Sequence, residues 1–230
     1  MFKEGPIDKT LRRIKKLIPK SVFNFFAPVY HAGLAWAGAV IYGFPSGSMK
    51  VIGVTGTKGK STTVFLISKM LQEAGQPTAA IGSLGFKIKD KEWPNNLKMT
   101  MPGRFKLQKF LSQAKKAGCK YVVLEVTSEG IKQKRHLGIK FDCAVFTNLH
   151  KEHLESHGSF ENYYKAKQEL FKRTKNIHVL NADSEYVSLF SKFLAPKKIF
   201  YSLKDYNFQS VLAGDFNKQN ILAAAETVKN

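Results

Sequence analysis

The sequence predicts an α/β protein with a mostly parallel sheet, helices on both faces of the sheet, and a short helical segment in front of it. Short apolar runs alternate with longer segments whose apolar positions repeat at helical spacing. Strands and helices that alternate in this way form parallel sheets through right-handed crossovers. The composition also suits a folded domain, because 43% of the 230 residues are hydrophobic and 12% are aromatic.

The N-terminal segment is basic and then apolar. Leu11, Ile14 and Leu17 fall at helical spacing among basic residues, and Val22–Phe44 contains no Asp, Glu, Lys or Arg. The length suits a membrane span, but polar, proline and small residues dilute it. A signal peptide usually has a shorter apolar stretch than this one and is followed by a cleavage site, and no convincing cleavage site follows this segment. We therefore expect a pair of helices that pack small residues on the next domain, with peripheral membrane association through residues 1–44 as the alternative.

The sheet domain follows a linker, Pro45-Ser46-Gly47-Ser48. Strands are predicted at Val51–Val54, Thr78–Leu84, Tyr121–Val126, Asp142–Thr147, Ile177–Asn181 and Lys198–Tyr201. Helices are predicted at Ser61–Gln72, Phe105–Ala117, Ser159–Arg173, Glu185–Leu194 and Phe216–Asn230. Ligands of such folds bind at the carboxyl ends of the strands, so we expect the functional site there.

The net charge of +20 raises the question of a nucleic-acid partner. The lysines are spread over the whole chain without a nucleic-acid-binding motif, so we expect no nucleic acid to bind. Cys119 and Cys143 are too few for a disulfide scaffold and lack metal-ligand spacing. A reducing, cytoplasmic location is therefore expected, with association at a membrane surface as the alternative.

The segment Val51–Thr63, VIGVTGTKGKSTT, joins a predicted strand to a predicted helix. A strict eight-residue phosphate-binding loop needs a glycine at position 54, where this chain has a valine. Gly56 and Gly59 belong to a shorter loop that lets the backbone approach phosphate oxygens at a helix N-terminus. Lys60 is placed to reach the β and γ phosphates, and the Ser61 hydroxyl to bind Mg²⁺.

Three other features are ambiguous when each is taken alone. Glu125 ends a predicted buried strand, where it either binds Mg²⁺ or simply meets solvent. His150, His153 and His157 suggest a zinc site, but no cysteine joins them and their order differs from a zinc-protease motif. Lys167 lies on a predicted helix, where a lysine commonly belongs to a solvated face.

Together these motifs resemble the central ATP-binding domain of the Mur ligase family, over about Tyr42–Asn230. The similar branch adds the third amino acid of the peptidoglycan stem. The matching motifs are Tyr42-Gly43-x-Pro45-Ser46, Gly56-Thr57-x-Gly59-Lys60-Ser61-Thr62, Glu125-Val126-x-Ser128, Thr147-Asn148-Leu149, His153-Leu154-x-x-His157-Gly158, Ala166-Lys167, Leu170-Phe171, Asn181-Ala182-Asp183 and Gly214-x-Phe216-Asn217-x-x-Asn220-x-x-Ala223-Ala224.

The resemblance implies ATP-dependent formation of an amide bond. A carboxylate of a UDP-N-acetylmuramyl peptide becomes an acyl phosphate, which the amine of an amino acid then attacks. Two alternatives share the loop or the charge pattern: a ligase similar to folylpolyglutamate or cyanophycin synthetase, and a non-catalytic module that binds ATP or a membrane.

The resemblance also implies roles for individual residues. ATP would contact Gly56, Thr57, Lys58, Gly59, Lys60, Ser61 and Thr62, with Asn217 and Asn220 near the adenine. The implied catalytic residues are Lys60, Glu125, His153 and Lys167, and the implied Mg²⁺ ligands are Ser61, Glu125, His153 and, if carbamylated, Lys167. The implied contacts of the muramyl substrate are Thr100, Ser128 and Arg135.

The chain departs from the family pattern at four positions, where Lys58 replaces Asn, Met101 replaces Thr, Glu129 replaces His, and Glu152 replaces Asp. Met101 and Glu129 lie on the substrate side, so they bear on the acceptor more than on ATP.

The resemblance implies two domains in this chain, a helical segment with its linker at 1–46 and the ATP-binding domain at 47–230. Compared with the family, the N-terminal domain is reduced and the C-terminal, amino-acid-binding domain is missing. We therefore expect a monomeric fragment that is inactive as a ligase on its own.

Overall fold

The computed structural model of the chain describes residues 20–97, 99–151, 157–207 and 209–230. Its strands are β1 Lys50–Thr55, β2 Thr78–Gly82, β3 Gly85–Ile88, β4 Lys91–Trp93, β5 Tyr121–Glu125, β6 Cys143–Phe146, β7 Ile177–Asn181 and β8 Lys197–Tyr201. They form one sheet in the order β4-β3-β2-β5-β1-β6-β7-β8. All neighbours from β2 to β8 in that order are parallel, whereas β3 is antiparallel to both β2 and β4. The predicted mostly parallel α/β fold is confirmed.

Helices cover both faces of this sheet. They are α1 Lys20–Ile41, α2 Lys60–Glu73, α3 Arg104–Lys116, α4 Ser128–Lys132, α5 Phe160–Arg173, α6 Val187–Ser191 and α7 Asp215–Lys229. Strand β1 contributes to two cores because its successive side chains point to opposite faces. Val51 packs in the core that contains Leu107 of α3 and Phe171 of α5. Ile52 packs in the core that contains Leu222 of α7.

Gly53 lets helix α5 lie close to the centre of the sheet. A Cβ atom at this position would be 2.8 Å from Leu170 Cδ1 and 3.0 Å from the Phe141 ring. Both distances are shorter than ordinary carbon contacts, so a side chain here would push the helix outward. The glycine therefore helps to set how near α5 comes to the loop that follows β1.

The hairpin β3–β4 is the main difference from the predicted elements. One strand was expected at Thr78–Leu84, but β2 ends at Gly82 and the chain turns back as β3. The next turn has Lys89 in a left-handed conformation, with φ of 53°. Hairpin turns usually mark this conformation with Asn or Gly, and the sequence lacks that mark. Opposite charges stabilise the pair, since Lys87 Nζ lies 2.5 Å from Glu92 Oε1 on the facing strand.

Helix α1 replaces the expected pair of helices in Val22–Phe44 and continues past Pro28. The expected packing of small residues is present. Ala35 and Ala39 are buried, and a Cβ atom on Gly138 would be 2.6 Å from Ala39 Cβ. Close contact between small residues holds the C-terminal half of α1 against the sheet domain. No helix in the described ranges is long and apolar enough to cross a membrane.

Candidate active site

The phosphate-binding loop lies where three parallel strands end side by side. Strand β1 sits between β5 and β6. The loop Gly56–Gly59 follows β1, Glu125 ends β5, and Thr147 and Asn148 follow β6. The structure thus brings together, at the carboxyl edge of the sheet, three motifs that are far apart in the sequence.

Glycines are required at both ends of this loop by close contacts. A Cβ atom on Gly56 would be 1.9 Å from Thr147 Oγ1, and one on Gly59 would be 2.2 Å from Asn220 Oδ1. Gly59 also has a φ of 81°, which side-chain-bearing residues rarely adopt. The loop therefore needs glycine for backbone shape and for space. The Asn220 side chain is thus in direct contact with the loop.

Thr147 and Asn148 hold the loop in shape through its backbone. The Lys58 N–H donates to Asn148 Oδ1 at 2.8 Å, and the Thr57 N–H donates to the Asn148 carbonyl at 2.9 Å. The Lys58 carbonyl accepts hydrogen bonds from Thr147 Oγ1 at 2.7 Å and Asn148 Nδ2 at 3.2 Å. These bonds fix the backbone of Lys58 while its side chain remains exposed. The sequence marked Thr147 and Asn148 as a motif but assigned them no role.

Ser61 and Glu125 form a compact cluster with Ser83. Glu125 is 2% exposed, so the alternative that it simply meets solvent is wrong. Its Oε2 atom accepts from Ser61 Oγ at 2.9 Å, from the Ser83 N–H at 2.8 Å and from Ser83 Oγ at 3.0 Å. Ser83 was not a candidate from the sequence. Its signal would have been its position after β2, the strand beside β5.

Two lysines approach the loop from different sides. Lys60 Nζ donates to the Thr57 carbonyl at 2.7 Å, and Lys167 Nζ donates to the Gly56 carbonyl at 2.6 Å. Lys167 is only 2% exposed, so the interpretation of a solvated helix face is wrong. Its ammonium lies 4.5 Å from the centre of the Tyr163 ring, one turn earlier in α5. Burial against the loop and an aromatic face keeps this lysine at the site.

Tyr163 is a second residue that the sequence did not single out. It is 1% exposed, and its hydroxyl lies 3.0 Å from Thr57 Oγ1. Thr57 Oγ1 also accepts from the His150 N–H at 2.9 Å. Because Tyr163 and Lys167 are four residues apart on one helix, they share a face, and that spacing was the available signal.

On the substrate side, Thr100 Oγ1 lies 3.2 Å from Ser83 Oγ. Ser128 and Arg135 line the same cleft as the loop, as does Glu129. Ser128 Oγ lies 3.1 Å from His157 Nε2, and Glu129 Oε1 lies 3.5 Å from the same nitrogen. Ser128 and Glu129 are therefore both in contact with His157, the last histidine of the segment that contains His150, His153 and His157.

Arg135 is held in place by its neighbours. It donates through Nη1 to the Met101 carbonyl and through Nη2 to Gln133 Oε1, the latter at 2.7 Å. Burial lowers the pKa of Arg135, while the nearby Glu129 carboxylate acts in the opposite direction. Burial, and then the charge of Arg135, lowers the pKa of Arg104 to about 10. With a pKa of about 10, Arg104 remains charged at neutral pH. Gln133, which also lines the cleft, was missed by the sequence analysis.

The remaining candidates are placed less directly. Thr62 is in the first turn of α2, beside the loop. Asn217 is one turn before Asn220 in α7, but its Nδ2 atom donates to the Ala213 carbonyl at 2.7 Å. The structure therefore brings Asn220, and not Asn217, against the loop. His153 and Glu152 lie outside the described residues.

One cleft of about 660 Å³ contains both sets of residues. The side next to the loop, which we call the nucleotide side after the ligand expected there, is lined by Thr57, Lys58, Gly59, Lys60, Ser61, Ser83, Glu125, Tyr163 and Lys167. The other side, which we call the acceptor side after its expected ligand, is lined by Met99, Thr100, Met101, Thr127, Ser128, Glu129, Gln133 and Arg135. The phosphate-binding loop and Arg135 therefore open into one cleft, which is lined by the cationic side chains of Lys58, Lys60, Lys167 and Arg135.

Known proteins resemble this chain in sequence and in fold. A 2,6-diaminopimelate ligase acting on UDP-N-acetylmuramoyl-L-alanyl-D-glutamate, from Nostoc sp., is 35% identical over 83% of this chain and 44% of that protein. A UDP-N-acetylmuramyl-tripeptide synthetase from Roseiflexus sp. is 37% identical over 71% of this chain and 35% of that protein. A solved structure of a UDP-N-acetylmuramoyl-L-alanyl-D-glutamate--2,6-diaminopimelate ligase matches the fold of this chain with a TM-score of 0.71 and 29% identity, over 79% of this chain and 43% of that one.

The chain thus spans less than half the length of these curated relatives. The family model described as the Mur ligase middle domain matches residues 54–208, from the strand before the loop to the segment after β8. That range is more than half of the chain and contains all the residues that line the cleft. The chain therefore belongs to the Mur ligase family.

Proposed function

We propose that this chain is the ATP-binding core of a peptide-bond-forming ligase in peptidoglycan synthesis. It would activate a carboxylate of a UDP-N-acetylmuramyl peptide as an acyl phosphate, for attack by the amine of an amino acid. The observation that carries the proposal is that one cleft contains the phosphate-binding loop, the Ser61–Glu125 pair and, on its acceptor side, Arg135. Catalysis of this kind depends mainly on positioning and on neutralising negative charge.

On the nucleotide side, the N–H groups of the loop and Lys60 would hold the β and γ phosphates. Asn220 would contact the adenine end, with Asn217 one turn away. In the first step, a carboxylate oxygen bonds to the γ phosphorus and the bond to the ADP oxygen breaks. In the second, the amine nitrogen bonds to the carboxyl carbon, the bond from that carbon to the phosphate oxygen breaks, and the nitrogen loses a proton that the departing phosphate can accept. Lys60 would stabilise the charge on the transferring group throughout.

The site also fits a magnesium ion. Ser61 Oγ and Glu125 Oε2 are 2.9 Å apart. Adjacent oxygen ligands of an octahedral ion with bonds of about 2.0–2.1 Å have about this separation. Bound there, Mg²⁺ would neutralise charge on the phosphates. We further propose His153 and a carbamylated Lys167 as ligands of a second ion, since a carbamate offers the oxygen ligands that an ammonium lacks.

On the acceptor side, Thr100, Ser128 and Arg135 would bind the muramyl peptide. The planar guanidinium of Arg135 suits a carboxylate or a phosphate, and its bonds to Gln133 and Met101 orient it in advance. We keep the division into residues 1–46 and 47–230, a monomeric state, and peripheral membrane contact through residues 1–44 as parts of the proposal.

Calorimetry of MgATP binding tests the nucleotide half of the proposal. The 230-residue chain should bind MgATP, and Lys60→Ala should weaken binding by at least about 100-fold, because a charge-assisted contact to the phosphates is lost. Lys69→Ala is the matched control, since Lys69 is an exposed lysine on the same helix. No binding by the wild-type chain, or equal binding by Lys60→Ala, would overturn the proposal.

The acceptor is tested separately on the chain saturated with a non-hydrolysable ATP analogue. UDP-N-acetylmuramyl dipeptide should bind, and dihydrofolate should not. Arg135→Ala should remove the first interaction while analogue binding stays intact. Binding of the folate in place of the muramyl peptide would favour the folylpolyglutamate-synthetase-like alternative. Binding of neither acceptor would favour a module that binds nucleotide alone.

A further inference from the structure

The outward face of α1 is an apolar stripe that the ligase chemistry does not use. Its side chains are 49–73% exposed and recur at helical spacing, which puts them on one side of the helix. We call this set the outward stripe; it consists of Phe26, Val29, Trp36, Val40 and Ile41. Phe44, just beyond the helix, is 46% exposed, and its ring centre lies 6.2 Å from that of Trp36. Several large apolar side chains exposed on one side of a helix are typical of an interaction surface.

The opposite side of α1 is already occupied by the sheet domain. Ala35 and Ala39 are buried there, and a Cβ atom on Gly38 would lie 3.6 Å from the Phe105 ring of α3. The outward stripe is therefore directed away from the protein. The helix cannot bury the stripe by rotating without exposing its packed side.

Charge around the stripe favours an anionic lipid surface over a protein groove. From Lys9 to Gln72 the sequence contains no Asp or Glu. Basic residues are dense in the sequence before the helix and at its first residue; they are Lys9, Arg12, Arg13, Lys15, Lys16 and Lys20. A helix that exposes aliphatic and aromatic residues next to a polybasic flank suits binding at the surface of an anionic membrane.

We propose that the outward stripe inserts into the interface of an anionic membrane and holds the acceptor side of the cleft next to that surface. The second part rests on the proposed function. Arg104 connects the two regions: a Cβ atom on Gly38 of α1 would lie 3.7 Å from the Arg104 carbonyl oxygen, and the Arg104 Nη2 atom donates to the Gln133 carbonyl at the cleft. The acceptor is then one that is delivered at the lipid surface, or one whose far end stays attached to it.

Vesicle binding tests the first part with the full chain. Trp93→Phe leaves Trp36 as the single tryptophan, so its emission reports on the stripe. Vesicles of phosphatidylglycerol and phosphatidylcholine should shift that emission to shorter wavelength and float the protein. Pure phosphatidylcholine should bind it at least about tenfold more weakly, since the basic flank has no anionic partner there. High salt should reduce the difference.

Val40→Glu in the same background should weaken partitioning at least about tenfold, because it places a charge in the stripe. Leu194→Glu is the matched control, since Leu194 is 83% exposed and lies just before β8, at the other edge of the sheet. Equal losses in the two variants, or no vesicle binding by the parent, would overturn the proposal. So would a dimer in vesicle-free buffer that Val40→Glu abolishes, because a second copy would then cover the stripe. MgATP affinity without vesicles shows whether the ligase proposal stands independently.

The second part is tested with probes attached at single sites. Cys119 and Cys143 are buried, so a dye can be attached selectively at Lys132→Cys, beside the acceptor rim, or at Lys204→Cys, after β8. A quencher on the lipid headgroup should reduce emission more at position 132 than at position 204. Equal or reversed quenching would contradict the proposed orientation even if the stripe binds lipid.

Discussion

On the nucleotide side of the cleft, Glu125 accepts three hydrogen bonds and is 2% exposed. On the acceptor side, the Glu129 side chain is 46% exposed and faces His157 at 3.5 Å. The first carboxylate is confined by neighbouring backbone and hydroxyl groups, whereas the second can change its rotamer and its partner. A transferring phosphate needs fixed charges, because reorganising them during the reaction would raise the barrier. The acceptor side also carries Met101 and Glu129, two of the departures from the family pattern.

The largest expected effect comes from substituting Glu125, the carboxylate that is held in place on the nucleotide side of the cleft. Glu125→Ala should weaken MgATP binding by about 100-fold or more, because the ion loses a charged ligand, and three donors lose their acceptor. Glu125→Gln keeps an oxygen acceptor for those donors but removes the charge. Calorimetry with and without Mg²⁺ separates the two effects. If Glu125→Ala binds MgATP as well as the wild-type chain does, this carboxylate is not part of the magnesium site.

The free energy of unfolding should depend on pH through His136, the residue that follows Arg135 on the acceptor side. Burial, then the charges of Arg173 and Lys134, lowers the pKa of His136 to about 4, and neither ring nitrogen has a partner among the described residues. In the unfolded chain, histidine takes up a proton near pH 6.5. The unfolded state therefore binds more protons between about pH 6.5 and pH 4, so stability falls as the pH drops through that window and levels off below it.

Urea unfolding should thus show that this group lowers the free energy of unfolding by about 2 kcal/mol between pH 7 and pH 5. The wild-type chain is compared with His136→Leu, because the carboxylates titrate in both proteins and their contribution then cancels. The variant should have the smaller loss. Parallel pH profiles would mean that His136 is not buried as a neutral group, and the tight packing next to Arg135 would need revision.

The next prediction, of intermediate size, separates the contribution of the geometry of Arg135 from that of its charge. Arg135→Lys keeps the positive charge but cannot donate to Met101 and to the ligand in a fixed plane. The affinity for UDP-N-acetylmuramyl dipeptide should fall about tenfold, while MgATP binding stays unchanged. The affinities of the two ligands, measured on one preparation, check this. An equal loss for both ligands would mean that the two sides of the cleft are mechanically coupled.

The same contrast shows what could be predicted from the sequence. Periodicity predicted the parallel sheet, and the loop and Glu125 were identified because each follows directly from one strand end. Lys167 looked solvated without the family resemblance, because its partner Gly56 is 111 residues away and only tertiary packing joins them. Ser83 and Gln133 were missed for a similar reason, since neither belongs to a local pattern. The β3–β4 hairpin was missed because Lys89 occupies a turn position that glycine or asparagine usually marks.

The smallest expected effect concerns Lys58, whose backbone is fixed and whose side chain is exposed. Its N–H and carbonyl bonds to Asn148 and Thr147 do not depend on the side chain, so Lys58→Asn should leave the loop intact. MgATP affinity should change by no more than a few-fold. Its dependence on ionic strength should become shallower, because one screened cation beside the phosphates has been removed.

Calorimetric titrations between low and physiological salt measure this slope, with Lys69→Asn as the control for losing an exposed lysine on α2. An unchanged slope in Lys58→Asn would show that the ammonium points away from the phosphates. A large loss of affinity at every salt concentration would show that the side chain helps to shape the loop. In that case, the fixed side of the cleft would depend on the residue at position 58 and not only on its backbone contacts.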